Sequence, residues 1–339
     1  RESALMNPLS YIVVNGGIIL ILWIGAAKVN GGVLLSGNVI ALINYLSQIL
    51  VELVKLANLI VQLSKAVVSS GRIAQILDTK PSMQYKSVTE DSGDTALAFE
   101  NVSLRYGGAS ENSLTNISFS AKRGETVGII GGTGSGKTTL VNLAARFYDA
   151  TEGRIEFMGA DIRDWDKKAI RKRVAVVMQR AQLFSGTVRS NLLYGSPSAD
   201  DDELWAALET AQAADFVRMK GGMLDAEVEQ GGRNFSGGQR QRLCVARAIA
   251  AKPDMLILDD SSSALDYATD AAMRRAIKNL PWKPTLLIVS QRTVSIEHAD
   301  KILVLDDGEL AGIGTHEELL SACPVYKEIY DSASGKDGE

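Results

Sequence analysis

A glycine-rich segment followed by Lys and Thr is the first stretch of this sequence whose residue types could do chemistry. The segment GGTGSGKT, residues 131–138, follows an apolar run and precedes a stretch with helical spacing. Glycines allow backbone N–H groups to turn inward on phosphate oxygens, and the N-terminus of a helix attracts the same anion. Lys137 would contact the outer phosphates of a nucleotide, and the Thr138 hydroxyl would bind Mg²⁺.

A pair of acidic residues closes a second apolar run. The segment MLILDD, residues 255–260, places Asp259 at the end of a predicted buried strand. A carboxylate in this position holds Mg²⁺ through the water shell of the ion. Asp260 follows directly. In the segment IVSQR, residues 288–292, Gln291 follows the end of another apolar run. The spacing therefore predicts a magnesium–nucleotide site with acidic and amide groups beside it.

A third segment, NFSGGQRQR, contains a second candidate anion site. Ser236, Gly237 and Gly238 stand at the start of an apolar-periodic stretch, which predicts an exposed helix N-terminus. A chain that already has one phosphate loop has no evident use for another anion site so close in sequence. We therefore predict that this segment serves a nucleotide bound by another chain.

The elements around these motifs indicate a membrane part and a nucleotide-binding part. No charged residue occurs from Ser3 to Ala27 or from Val29 to Val51, and each stretch exceeds the roughly 20 residues needed to cross a bilayer. From Leu97 onward, short strands alternate with helices. We expect membrane helices within 1–79, with spans near 9–27 and 34–54 and the second extending into the cytosol, then a linker at 80–95, a nucleotide-binding domain at 96–332 and a disordered tail at 333–339.

Composition excludes several classes of protein. The net charge is −4 and no basic block occurs, so a nucleic-acid partner is not expected. Cys244 and Cys323 are the two cysteines, which excludes a disulfide framework or a zinc-ligand spacing and fits a reducing compartment. The sequence begins with Arg1, and we expect that it is part of a longer protein.

The combination of GGTGSGKTT, NFSGGQRQR, LILDD and SALD resembles the nucleotide-binding domain of an ATP-binding-cassette (ABC) transporter over residues 97 to about 330. The preceding apolar stretches resemble the exporter type. This resemblance implies an α/β P-loop NTPase domain, with a RecA-like core plus antiparallel β and helical subdomains, preceded by transmembrane α-helices. It also implies six spans per half, a multi-pass position in the cell membrane, and a cytoplasmic nucleotide-binding domain that dimerises head to tail around two ATP molecules.

The resemblance assigns further site residues. Tyr106 would stack on adenine, Gln179 would touch Mg²⁺ and the γ-phosphate, and Asp266 would cross the dimer interface. The implied ATP contacts are Tyr106, Gly131, Gly132, Thr133, Gly134, Ser135, Gly136, Lys137, Thr138, Thr139 and Gln179, the metal ligands are Thr138, Gln179 and Asp259, and the contacts to the partner's ATP are Ser236, Gly237, Gly238 and Gln239.

Two departures from the family pattern fall on residues expected to be catalytic together with Gln179. Asp260 stands where the family has Glu, and Gln291 stands where it has His. Asp is one methylene shorter, and a misplacement of about 1 Å can cost roughly 10²-fold in rate. An amide can donate a hydrogen bond, but it cannot supply the charge or the proton shuttle of imidazole. We therefore expect intact ATP binding and impaired hydrolysis.

The expected partner is a second ABC half-transporter in a heterodimer, together with the lipid bilayer and a transported substrate of unknown identity. Two alternatives stay open, a homodimeric exporter that hydrolyses slowly and a regulatory subunit in which ATP gates a pore. A soluble cassette ATPase of DNA repair or translation is disfavoured by the uncharged spans and the acidic balance.

Overall fold

The chain consists of two compact units, Arg1–Ser82 and Met83–Glu339. The structure, a computed structural model, describes residues 2–87, 91, 93–261 and 265–333. The predicted linker at 80–95 spans the division between the units. The tail predicted at 333–339 lies outside the described residues except for Ala333.

The N-terminal unit is a pair of long helices, α1 (Glu2–Asn30) and α2 (Ser36–Leu77). Both are long and apolar enough to cross a membrane, over Tyr11–Asn30 and Ser36–Leu77, and at most 6% of either apolar window is buried. The core helices of soluble proteins are mostly buried, so this exposure favours a lipid environment. At Gly25 the helices approach closely, since a Cβ there would lie 2.7 Å from Val39 Cγ1, and small residues allow such contacts between membrane helices.

A six-stranded sheet forms the centre of the second unit, with the strand order β12-β11-β3-β10-β9-β6. Its pairs are parallel except for the antiparallel pair β11–β12. The strands are β3 (Thr126–Gly131), β6 (Val174–Val177), β9 (Met255–Asp259), β10 (Thr285–Val289), β11 (Lys301–Asp306) and β12 (Glu309–Gly314). The parallel arrangement brings the ends of β3, β6, β9 and β10 to one edge, where ligands bind in open α/β sheets.

A second, antiparallel sheet has the order β2-β1-β4-β5. Its strands are β1 (Thr95–Leu104), β2 (Leu114–Lys122), β4 (Glu152–Phe157) and β5 (Ala160–Asp161). Helix α3 (Lys137–Ala144) contributes Leu140 and Leu143 to a buried cluster that also contains Ile117 and Phe157 of this sheet and Ile129 of β3. This core fixes the helix that follows the glycine-rich turn against both sheets.

A mainly helical region lies between β6 and β9 in the chain. It contains β7 (Gly186–Thr187), α5 (Val188–Leu193), α6 (Asp201–Thr210), α7 (Ala214–Arg218), β8 (Glu227–Val228) and α8 (Gly237–Ala250). The remaining helices of the unit are α4 (Lys167–Arg173), α9 (Tyr267–Lys278), α10 (His316–Ala322) and α11 (Pro324–Ala333). Capping boxes determine where several of these helices begin. Asp200, Ser236 and Thr315 form them at the N-termini of α6, α8 and α10.

Arg146 binds the first residues of the second unit through a hydrogen bond and a ring contact. The Arg146 side chain is 1% exposed. Its guanidinium donates to the Gln84 carbonyl at 2.5 Å and to the Ile162 carbonyl at 2.7 Å, and it pairs with Asp149 at 3.0 Å. The Tyr85 ring lies 4.3 Å from the guanidinium carbon. We call residues 83–87 the strap; this part of the predicted linker is therefore packed on the domain.

Candidate nucleotide-binding site

The glycine-rich turn connects β3 to α3, as the motif predicts. Gly131 and Gly136 are required here by space. A Cβ on Gly131 would lie 2.1 Å from the Leu305 carbonyl oxygen, and one on Gly136 would lie 2.6 Å from Leu114 Cδ2. Gly136 also has φ +94°, which L side chains rarely adopt. The turn thus leads directly into the N-terminus of α3, where helix backbone N–H groups attract an anion.

Lys137 lies over this turn, and its Nζ donates to the carbonyl oxygens of Gly131 at 2.9 Å and Gly132 at 2.5 Å. Partial burial lowers the pKa of Lys137, and the carboxylates of Asp259 and Asp260 oppose that shift. The ammonium group is therefore held on the loop and is close enough to the acidic pair to interact with it electrostatically. The arrangement suits an ammonium that contacts the outer phosphates of a nucleotide.

Asp259 ends β9 directly beside β10, and its side chain is buried. Burial and the neighbouring Asp260 raise the pKa of Asp259, while Lys137 opposes the shift. A divalent cation beside Asp259 would stabilise the carboxylate form. Among the described residues, no cluster of three or more His, Cys, Asp or Glu could hold a metal ion alone. The donor set of Thr138, Asp259 and Gln179 fits Mg²⁺, which takes few protein oxygens and completes its shell with phosphates and water.

Replacing Asp259 by Asn should stabilise the protein in the absence of nucleotide and Mg²⁺. Because the folded-state pKa is raised, the carboxylate destabilises the folded chain above that pKa, and the penalty is relieved as pH falls through it. At pH 7 we expect a higher melting temperature, since a stabilisation of about 1 kcal/mol raises the melting temperature of a domain of this size by about 2–4 °C, and the difference should narrow at acidic pH. The control is Asp306→Asn at the exposed end of β11, which should change little. A lower melting temperature for Asp259→Asn would contradict this account.

Asp260 lies against Gln179 at the sheet edge. The Gln179 Nε2 donates to Asp260 Oδ2 at 3.0 Å, and the Asp260 N–H donates to the Val289 carbonyl at 3.0 Å. Asp260 has φ +45°, a left-handed conformation that Asp tolerates better than most residues. Gln291 follows β10 by two residues and is exposed. The structure thus joins two predicted catalytic residues by a hydrogen bond.

An open cavity of about 620 Å³ adjoins the glycine-rich turn. Lys137, Thr138 and Thr139 line one side, and the loop 108–113 with the turn at Asp307–Gly308 lines the other. Sequence reasoning missed these two segments. The Asp307–Gly308 pair is a sequence signal for a hairpin between two strands. The sequence does not show that β11 pairs with β3, and this pairing brings the hairpin to the glycine-rich turn.

Tyr106 lies beside this cavity but is not among the described residues that line it. Its hydroxyl is 3.4 Å from Thr139 Oγ1, and its ring packs edge-on against Tyr148 with 5.0 Å between centroids. The side chain is half-buried. The structure therefore places the predicted adenine-stacking residue against the start of α3.

The residues predicted to act on a partner's nucleotide lie at the N-terminus of α8. The Ser236 side chain accepts from the Gln239 N–H at 3.3 Å, and the Gln239 side chain accepts from the Ser236 N–H at 3.0 Å. Ser236 and Gly237 are exposed. Among the described residues that line the 620 Å³ cavity, none comes from this segment. The helix N-terminus is thus available to a ligand from outside the chain.

Phe235, the residue before Ser236, is part of the core beneath α8. Its side chain is 3% exposed, with its ring centroid 6.3 Å from that of Phe216 and 4.3 Å from Lys220 Nζ. We expect Phe235→Ala to lower the free energy of unfolding by about 3–5 kcal/mol and Phe235→Leu by less than about 1.5 kcal/mol. Denaturant unfolding of the purified variants measures both, and equal effects would contradict this packing role.

Asp266 forms the N-cap of α9. Its carboxylate accepts from the Thr269 N–H at 2.9 Å and from the Thr269 hydroxyl at 2.8 Å. These hydrogen bonds lower the pKa of Asp266, which is exposed. The preceding residues 262–264, two of which belong to the SALD motif, lie outside the described residues. Asp266 thus remains charged at neutral pH and is accessible.

Comparisons with known proteins agree with this geometry. The family model described as "ABC transporter" matches residues 114–263. The ABC transporter ATP-binding protein YfiB of Bacillus subtilis is 38% identical over 331 residues, covering 98% of this chain and 57% of that protein. The ATP-dependent lipid A-core flippase of Vibrio vulnificus is 30% identical over 329 residues, covering 97% and 56%. A solved structure, a bacterial Atm1-family ABC exporter with ATP bound, matches with a TM-score of 0.79 and 28% identity over 99% of this chain and 59% of that one.

The present chain spans less than three fifths of the length of these relatives. The matches run through both units, so they include the apolar helices as well as the nucleotide domain. The predicted fold class, a P-loop α/β domain with an antiparallel sheet and a helical region after apolar helices, is confirmed. Residues 114–263 therefore match the ABC transporter family, and the chain as a whole, including its apolar helices, is similar to ABC exporter proteins.

Proposed function

We propose that this chain is the ATP-binding part of an ABC exporter and that its own ATP site hydrolyses slowly. Mg-ATP would bind through the glycine-rich turn, Lys137 and Asp259. The apolar helices would lie in the bilayer, with the nucleotide-binding domain on the cytoplasmic side. Export of a substrate across that bilayer would then be driven by head-to-tail pairing with a partner domain. The solved relative, an exporter with ATP bound, supports this assignment.

The observation that carries the slow hydrolysis is the position of Asp260. Its Oδ2 is engaged by Gln179 at 3.0 Å, and its side chain is one methylene shorter than Glu. A general base must come within hydrogen-bond reach of the attacking water. Gln291, on the neighbouring strand end, cannot accept and return a proton as imidazole can. The site would thus retain the residues that bind phosphate, but its general base, Asp260, is short and Gln291 beside it is uncharged.

The heterodimer is proposed because this chain's own ATP site lacks the expected catalytic residues, whereas its segment for a partner's ATP site is intact. Ser236 and Gly237 are exposed at the capped N-terminus of α8, so the segment from Ser236 to Gln239 can complete the ATP site of a partner. Two copies of this chain would form two slow sites. An unlike half-transporter with Glu and His at the corresponding positions would form one fast site, with this chain contributing Ser236.

The test compares ATP turnover by the purified chain in nanodiscs, alone and together with an unlike half-transporter. Alone, the chain should bind ATP but hydrolyse slowly, and the mixed dimer should turn over at least about tenfold faster. Ser236→Arg in this chain should lower the turnover of the mixed dimer by about 10²-fold, because the substitution removes preorganised donors to the phosphate.

The matched control is Ser321→Arg, on the exposed surface of α10, which should leave turnover unchanged. Fast turnover by the chain alone would favour the homodimeric alternative and overturn the proposal. Turnover by the mixed dimer that is insensitive to Ser236→Arg would overturn the assignment of that segment to the partner's site.

A further inference from the structure

A cavity of about 320 Å³ lies apart from the residues of the nucleotide site, between α9 and the 3₁₀ turn Thr293–Ser295. We call it the α9 pocket. Its walls come from α9, from the strands β3 and β10, and from residues 294–299. Its volume is within the range of about 300–1,000 Å³ that is typical of small-molecule sites.

The inner wall of the α9 pocket is mostly apolar, with Thr126 of β3 and Ser295 of the turn as its buried polar side chains. Leu286 and Ile288 of β10 form part of the apolar surface with buried side chains, and Ala271 of α9 and Val294 of the turn extend it. These side chains offer no hydrogen bonds. The bulk of a ligand that fits here must therefore be hydrocarbon or aromatic.

The rim of the α9 pocket carries a surplus of positive charge. Arg275 and Lys278 stand three residues apart on α9 and are exposed, and both line the cavity. Arg274 also lines it and pairs with Asp270 at 2.8 Å, while Glu297 is the carboxylate in the lining. Three cations thus face two carboxylates, which favours a ligand with a single negative charge.

Arg274 has unused capacity for hydrogen bonding. Its guanidinium donates to the Ser295 carbonyl oxygen and to the Asp270 carboxylate. Its Nε is buried and has no acceptor among the described residues, and the Oδ1 of its ion-pair partner Asp270 is likewise buried without a donor there. A buried donor without a partner costs free energy, so a small shift that brings an anionic head group to Arg274 would be favourable.

We propose that the α9 pocket binds a small amphipathic organic anion, with an apolar body between α9 and the turn and one anionic group at Arg274, Arg275 and Lys278. This site is additional to the proposed ATP site. Its walls adjoin two segments of that site in sequence, because α9 begins directly after Asp266 and the turn begins two residues after Gln291. The Ser295 hydroxyl, 3.4 Å from Asp270, already links the two walls.

The test is calorimetric titration of the chain in nanodiscs with 2-naphthoate, with the signal of empty nanodiscs subtracted. We expect saturable binding with a Kd of about 0.1 mM. The neutral analogue 2-naphthamide should bind about tenfold more weakly, since it lacks the charge. Val294→Trp, which fills the cavity from its exposed wall, should abolish binding.

Arg275→Gln combined with Lys278→Gln should weaken naphthoate binding about fivefold or more. The matched control is Lys168→Gln with Arg171→Gln, which are also exposed and three residues apart on α4 and should leave binding unchanged. The proposal is overturned if 2-naphthoate shows no saturable binding up to about 5 mM, if 2-naphthamide binds equally well, or if both pocket variants bind like the unchanged chain.

Discussion

Exchanging Asp260 for Glu together with Gln291 for His should raise the ATP turnover of the purified chain by about 10²-fold. The added methylene extends the carboxylate by about one bond toward the attacking water, and displacements of this size change rates by about this factor. Imidazole adds a group that can carry charge and move a proton near neutral pH. Steady-state phosphate release from the chain in nanodiscs measures the effect.

The matched control is Asp260→Asn with Gln291→His, which keeps the side-chain length and removes the base. It should turn over no faster than the unchanged chain. The Glu variant should also be slightly less stable, by about 1 kcal/mol, because Asp260 has a left-handed backbone with φ +45°. If the unchanged chain already hydrolysed as fast as the double variant, slow chemistry at this site would be refuted.

Lys137→Ala should weaken ATP binding by about 10²-fold. The ammonium lies over the glycine-rich turn, where it donates to the Gly131 carbonyl at 2.9 Å, and from there it would reach the outer phosphates. Hydrogen bonds between charged groups are each worth about 1.5–3 kcal/mol, which corresponds to one to two powers of ten in affinity. Titration with a fluorescent ATP analogue gives the dissociation constants.

Lys168→Ala, on the exposed surface of α4, serves as the control for loss of a lysine and should bind ATP normally. Thermal unfolding provides a second measurement, because ATP in excess of its dissociation constant raises the melting temperature of a chain that binds it. The Lys137→Ala variant should lose this stabilisation. An unchanged ATP affinity in this variant would refute the assigned phosphate contact.

The motifs along the chain predicted the glycine-rich turn directly, and the family resemblance that they carry implied the fold class. The turn is predictable because its signal is local, and the residues from 131 to 138 determine the backbone between β3 and α3. Asp259 is also predictable, because an acid at the end of a buried strand is a local pattern.

Features that depend on strand order could not be read from the sequence. The hydrogen bond between Gln179 and Asp260 joins residues that are 81 positions apart, and it exists because β6 and β9 are neighbours. The part played by the loop 108–113 in the cavity likewise depends on the pairing of β11 with β3. Nothing local in KPSMQYKSVTEDSGDT shows that a buried Arg146 binds its backbone.

The strap determines where an isolated nucleotide domain should be cut for expression. A gene fragment that begins at residue 96 would discard the Gln84 carbonyl and the Tyr85 ring, and so leave the buried Arg146 guanidinium short of an acceptor. An unsatisfied buried donor costs about 1–3 kcal/mol, enough to lower the yield of soluble protein. A fragment that begins at Met83, where the second compact unit starts, would retain both groups.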